Sequence, residues 1–160
     1  MTQLTINNSF FRFEQDFTEP NIRCIPMIVR FKLDACGIKL SLSQWSKMND
    51  EQRRYLADAP CDEAEDVIRY RKDLTRLIVR LTGSDPTFIP VPVSPAWGSR
   101  DDVPQSIMEQ LAGSGESITL EQWRNLTTLQ RFALVKLSRP GHENRNFSRA
   151  VEEFGLISVR

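Results

Sequence analysis

The stretch of this chain richest in reactive groups is SRPGHENRN, Ser138 to Asn146, where the single histidine, His142, stands beside Glu143 and Asn144, with Arg139 and Arg145 on either side. A histidine next to a carboxylate can move a proton or bind a metal ion near neutral pH. The catalytic role is not completed, because no nucleophile or second base can be identified, so no catalytic residue is assigned. The Pro-Gly pair places the segment in a loop between two helices, and loops held by a rigid scaffold are where partner contacts concentrate. A structural role competes: Asn144 or Asn146 caps the next helix while the arginines pair with acidic helix ends. Both readings stay open.

The other groups with chemical potential are thiols, indoles and a row of cations. Cys24, Cys36 and Cys61 are separated by 11 and 24 residues. Compact zinc and iron–sulfur sites space their ligands more closely, so no metal and no cofactor are expected, and Cys24 and Cys36, which flank a helix, are expected to pack as small apolar residues. Trp45 falls on one helical face with Leu42 and Met48, as Trp123 does with Leu120 and Leu126. That spacing predicts core packing for both indoles. Lys72, Arg76 and Arg80 recur every four residues with Arg69 nearby. Such a row costs a few tenths of a kcal/mol per like-charged pair, so it is either a solvated face or a docking stripe for an acidic surface or an anionic pyrophosphate.

What positions these groups is a repeat. PMIVRFKLDACGIKLSLSQWSKMNDEQRRYL, residues 26–56, and PQSIMEQLAGSGESITLEQWRNLTTLQRFAL, residues 104–134, align without gaps at an offset of 78 residues. The alignment pairs Pro26 with Pro104, Gly37 with Gly115, Trp45 with Trp123 and Arg53 with Arg131. Each copy reads as three short helices. Gly37 and Gly115 supply left-handed residues at a helix end, and SLSQ and TLEQ fit the capping box, in which a hydroxyl and a glutamine each satisfy a free backbone donor. NDEQ and TTLQ supply a second box in each copy, with Asn49 a partial match to the pattern.

Between the copies the spacing of Val67, Tyr70, Leu74, Leu77, Ile78 and Leu81 predicts a long helix from Asp62 to Leu81. Ser84–Gly98 holds four prolines and reads as an extended strap. Phe88, Ile89, Val91, Val93 and Trp97 are expected to pin it to the surface. A last helix is expected from Phe147 to Phe154. FFRFEQDF, from Phe10, fits both period two and period four, and strand and irregular structure both remain open.

Composition narrows the function classes. Lys plus Arg and Asp plus Glu both number 21, and this zero net charge gives no generic pull toward nucleic acid. An odd cysteine count without a CxxC pair suggests reduced thiols. No basic start leads into an apolar run, and no apolar run approaches membrane-spanning length. A cytoplasmic chain with no membrane and no nucleic-acid partner is expected, forming one domain over residues 1–160.

Three segments, FRFEQDF at 11–17, IRCIPMIVRFKLDACGIKLSLSQW at 22–45 and QRFALVKLSRPGHENRNF at 130–147, together resemble the nitrate reductase-associated proteins. These are small chains, mainly cyanobacterial, encoded near nitrate assimilation and molybdenum cofactor genes. The resemblance implies an accessory protein needed for active molybdenum-containing nitrate reductase, acting in assembly, maturation or cofactor insertion, with nitrate reductase or its immature form as partner. It transfers no active site.

The sequence therefore predicts an all-α protein of two similar three-helix units joined by a long helix and a proline-rich strap. Its candidate partner contacts are Arg139, His142, Glu143, Asn144 and Arg145 in the loop and Lys72, Arg76 and Arg80 on the helix. The alternatives are a helix-turn-helix-like regulator, which the neutral charge weakens, and a small enzyme or cofactor carrier of the molybdenum cofactor pathway, which would need a pocket.

Overall fold

Helices of the repeat begin where a side chain can cap them. Ser41 Oγ accepts from Gln44 N at 3.0 Å while Gln44 Oε1 accepts from Ser41 N at 2.9 Å, and Asn49 with Gln52 repeats the exchange at 2.8 and 2.9 Å. Thr119 with Gln122 and Thr127 with Gln130 do the same in the second copy. Each cap is worth about 1 kcal/mol, and Asn49 proves a full member of the set. The structure, a computed structural model, describes residues 10–139 and 144–157. Its α-helices are α1 (Gln15–Thr18), α2 (Met27–Cys36), α3 (Leu42–Ser46), α4 (Asp50–Asp58), α5 (Ala64–Thr82), α6 (Gln105–Ala112), α7 (Leu120–Asn125), α8 (Thr128–Leu137) and α9 (Asn144–Glu153). Helices α2, α3 and α4 start 78 residues before α6, α7 and α8.

Mostly helical as expected, the described residues also carry one short antiparallel pairing of β1 (Ile38–Lys39) with β2 (Thr87–Phe88), in the register Ile38 to Phe88. The residues divide into two compact units, Met1–Pro92 and Val93–Arg160.

In the first unit α5 packs on α2 and α3. It is therefore a wall of this unit's core as well as a connection. Tyr70, Leu74, Leu77 and Ile78 line its buried face against Val29, Leu33, Trp45 and Leu56. Its bounds shift slightly from the expected 62–81 because Glu63, the N-cap, and Asp66 form the capping box at its start, and Gly83, at φ 74°, ends it. The N-terminal FFRFEQDF is neither strand nor irregular but a 3-10 turn, Arg12–Glu14, running into α1. Its use is visible in Glu14: Pro26 offers no side-chain cap to α2, and the buried Glu14 carboxylate takes that place, accepting from Met27 N at 2.7 Å and Phe11 N at 3.1 Å.

In the second unit α8 is the central element, packed against α6, α9 and a 3-10 turn at Ala96–Gly98. Phe132, Ala133 and Leu134 are fully buried, and Trp97 meets Phe132 edge to face at 4.9 Å between ring centroids. Helix α9 begins at Asn144, earlier than the expected Phe147.

Two packing expectations need correction. Trp45 and Trp123 are both fully buried, but Leu42, placed on the same face, is 55 % exposed. It is the first residue of α3, where the chain is only entering the helix. Along the strap, Trp97 is buried and Ile89 half-buried, whereas Phe88 and Val91 leave nearly half of their surface exposed and Val93 is 98 % exposed.

Candidate functional site

The long helix α5 turns a cationic face to solvent. Lys72, Arg76 and Arg80 are exposed, and they make no hydrogen bond or ion pair with any described residue. Arg69 pairs with Asp66 at 3.6 Å, a surface contact worth under about 1 kcal/mol. Arg71 is used differently: its Nη1 donates to Cys36 O at 2.9 Å, and its guanidinium lies 4.4 Å from the Phe88 ring centroid, which ties β2 to the helix. The one acidic residue among these cations, Asp73, accepts from Tyr55 Oη at 2.5 Å. Among the cations of the helix, Lys72, Arg76 and Arg80 are therefore the ones that remain uncommitted to any described residue.

The loop residues divide. His142 and Glu143 lie outside the described residues, and Asn144 opens α9. Arg139 follows α8 and Arg145 is the second residue of α9, both exposed. Arg139 and Arg145 belong to the second unit and the helix row to the first.

Two features escaped the reading of the sequence. One is a cleft of about 300 Å³ in the first unit, lined by Phe10, Phe11, Arg12, Gln15, Glu19 and Arg54 among others. Nothing in local spacing announces it, because its walls come from the N-terminal turn and from α4. The other is a buried polar group. Lys32 sits inside the apolar stripe of Val29, Leu33 and Cys36, and its ammonium donates to Ala57 O at 2.6 Å and Ala59 O at 2.5 Å, holding the carbonyls at the end of α4. A charged residue at a stripe position was the available signal. Burial lowers the Lys32 pKa, opposed by the nearby Cys61, Asp58 and Asp62.

Cys36 and Cys61 are buried beside this lysine, and desolvation raises both thiols from 9.0 to about 11. A thiol held that high carries almost no thiolate near neutral pH and is a poor nucleophile or metal ligand. All three cysteines are free. Among the described residues no group of three or more His, Cys, Asp or Glu side chains is placed to hold a metal ion, and no helix is long and apolar enough to cross a membrane.

No curated protein and no solved structure matches the chain. The family of conserved nitrate reductase-associated proteins matches it over residues 10–154. That span takes in both compact units and almost every described residue, and the chain belongs to this family.

Proposed function

We propose that this member of the family is a non-catalytic accessory protein of molybdenum-containing assimilatory nitrate reductase, acting in the cytoplasm through protein contacts during assembly or maturation of the enzyme. The family membership carries the reading, since the family's description ties it to nitrate reductase. The surface chemistry is compatible with it: the uncommitted cations of α5 can meet carboxylates of a partner, and the Cys36 and Cys61 thiols are too deeply protonated for nucleophilic work. In this reading Lys72, Arg76 and Arg80 form one contact region. Arg139, His142, Glu143, Asn144 and Arg145 form the other.

The test is a tagged full-length chain expressed in a nitrate-assimilating host from which the native gene has been deleted. Recovery of nitrate reductase with the tag, together with restored enzyme activity, is the expected result. A deletion strain with full nitrate reductase activity overturns the proposal. Replacing His142 and Glu143 by alanine should leave thermal unfolding within about 0.5 kcal/mol of the original and lower the restored activity.

One observation favours a second reading. The cleft between the N-terminal turn and α4 brings Arg12 and Arg54 near Phe10 and Phe11, a combination suited to an anionic, partly aromatic ligand such as a cofactor carried to the enzyme. Loss of rescue in Arg54→Glu, with the α5 row intact, would favour carriage over docking.

A further inference from the structure

Opposite its buried stripe, α5 exposes two aliphatic residues, Ile68 at 67 % and Val79 at 39 %. They are eleven residues apart, which in a helix is about 16 Å along the axis and about 20° around it, so they lie on one line. Thr75 and Lys72 fall between them on the same face, and Arg69, Arg76 and Arg80 run alongside as a parallel edge. Single exposed aliphatics are common and carry nothing alone. What singles out this face is the cationic edge beside them, in which Arg69 is paired with Asp66 while Arg76 and Arg80, like Lys72, make no hydrogen bond or ion pair with any described residue, on a chain of zero net charge.

The helix holds five cations, Arg69, Arg71, Lys72, Arg76 and Arg80, all beyond its first turn, and three carboxylates: Glu65 and Asp66 stand in the first turn, where Asp66 pairs with Arg69, and Asp73 is engaged by Tyr55. Like charges at four-residue spacing destabilise the free helix slightly. An acidic partner removes that cost on docking and gains from each ion pair as water is excluded. Two aliphatic anchors at the ends of a charged strip are too little for a lipid surface, which needs a continuous apolar face. One short row on a neutral chain is also too little for nucleic acid, where affinity grows with the number of phosphates neutralised.

We propose that the outer face of α5 is a docking surface for an acidic amphipathic segment of a partner protein, whose apolar residues meet Ile68 and Val79 and whose carboxylates meet Lys72, Arg76 and Arg80. The proposal rests on the accessory reading above for the identity of the protein that supplies the segment. The chemistry of the segment follows from the face itself.

The probe is a helix-forming peptide of about five turns, rich in glutamate, with two leucines eleven residues apart, titrated into the full-length chain and followed by fluorescence anisotropy. Binding should weaken at least about tenfold in Lys72→Glu/Arg76→Glu and at least about threefold in Ile68→Ser/Val79→Ser, and it should weaken as salt is raised. Circular dichroism and melting are expected to show both variants folded, since neither touches the buried face. Equal affinity for the variants, or for a peptide with lysine in place of glutamate, overturns the proposal. So does tighter binding to vesicles of anionic lipid than to the peptide.

Purified nitrate reductase, with and without its cofactor, is titrated in parallel. If it binds and the α5 variants bind equally well, the docking surface is wrong and the accessory reading stands. If the peptide responds as expected while the enzyme never binds, the surface stands and the accessory reading falls.

Discussion

The two copies of the repeat use the same arginine for the same purpose in different surroundings. In the first unit Arg53 is half-buried, donating to the carbonyls of Asn21, Trp45 and Ser46 with its guanidinium 5.6 Å from the Trp45 ring centroid. In the second, Arg131 is buried, and it donates to Trp97 O at 2.8 Å, Leu126 O at 2.5 Å and Thr128 Oγ1 at 3.2 Å. Each copy also directs its indole to a carbonyl outside the repeat, Trp45 Nε1 to Ile22 O at 2.8 Å and Trp123 Nε1 to Ser99 O at 2.9 Å. An arginine and a tryptophan thus stitch each three-helix motif to the segment that precedes it. The difference lies in what completes the core: the long helix α5 in one unit, and α9 with Trp97 in the other.

The largest test of this comparison is removal of the indoles. Trp45→Ala and Trp123→Ala each empty a fully buried site and strand a carbonyl, so each should cost about 3–5 kcal/mol in denaturant titration. Similar losses sharpen the equivalence of the two sites. A loss below about 1 kcal/mol for either would break it.

Much of this architecture is legible in the residues, for a local reason. Ser41, Thr119 and Thr127, each with a glutamine three places on, satisfy helix donors within one turn, and no distant contact is needed to make that favourable. The buried Trp pair and the apolar stripe of α5 are legible on the same basis, as periodicity. What the sequence hides depends on contacts across the chain. Glu14 caps α2 from thirteen residues away, and Lys32 binds carbonyls twenty-five and twenty-seven residues on. The cation row was legible as a row. Its apolar companions Ile68 and Val79 are not legible in the same way, because an exposed aliphatic acquires meaning only once the buried side of the helix is fixed.

A second test uses titration, which the two units should feel differently. All three cysteines and both tyrosines precede Pro92. Cys36 and Cys61 have folded pKa values near 11 against an ordinary 9.0, and burial pushes Tyr70 well above its ordinary 10.0. Between pH 9 and 11 the unfolded chain therefore releases these protons first, and stability falls as pH rises. Two pKa units correspond to at most about 2.7 kcal/mol per thiol. Lys32 acts oppositely, because its lowered pKa makes unfolding bind a proton in the window below 10.5. Tyr55 is raised too, by its hydrogen bond to Asp73, so with two thiols and two tyrosines against one lysine the net slope should be negative, and Cys61→Ala should reduce the fall by about 2 kcal/mol over that range. A slope unchanged by Cys61→Ala would show that this thiol titrates alike folded and unfolded.

The smallest expected difference separates two glycines that the repeat makes equivalent. Gly37 and Gly115 have φ of 74° and 73°, a conformation that costs other residues about 1–2 kcal/mol, so alanine should destabilise at both positions. Their surroundings then diverge. A Cβ at Gly37 would lie 2.8 Å from Ile89 O and 3.2 Å from both Arg71 Nη1 and Val91 Cγ2, whereas at Gly115 it would meet nothing within 4 Å. Ile89 N donates to Gly37 O at 2.8 Å, so the carbonyl that would be struck belongs to a segment bonded to the glycine itself and cannot retreat without losing that bond. Gly37→Ala should consequently exceed Gly115→Ala by about 1 kcal/mol or more in urea titration, from overpacking alone. It should also loosen the β1–β2 pairing and with it the Arg71 contact to Phe88, which protease sensitivity of residues 84–92 would report. Equal losses at the two glycines, with no new cleavage, would mean that the strap is not held at Gly37, and that the first unit's extra pairing contributes no more to its stability than the open turn does to the second.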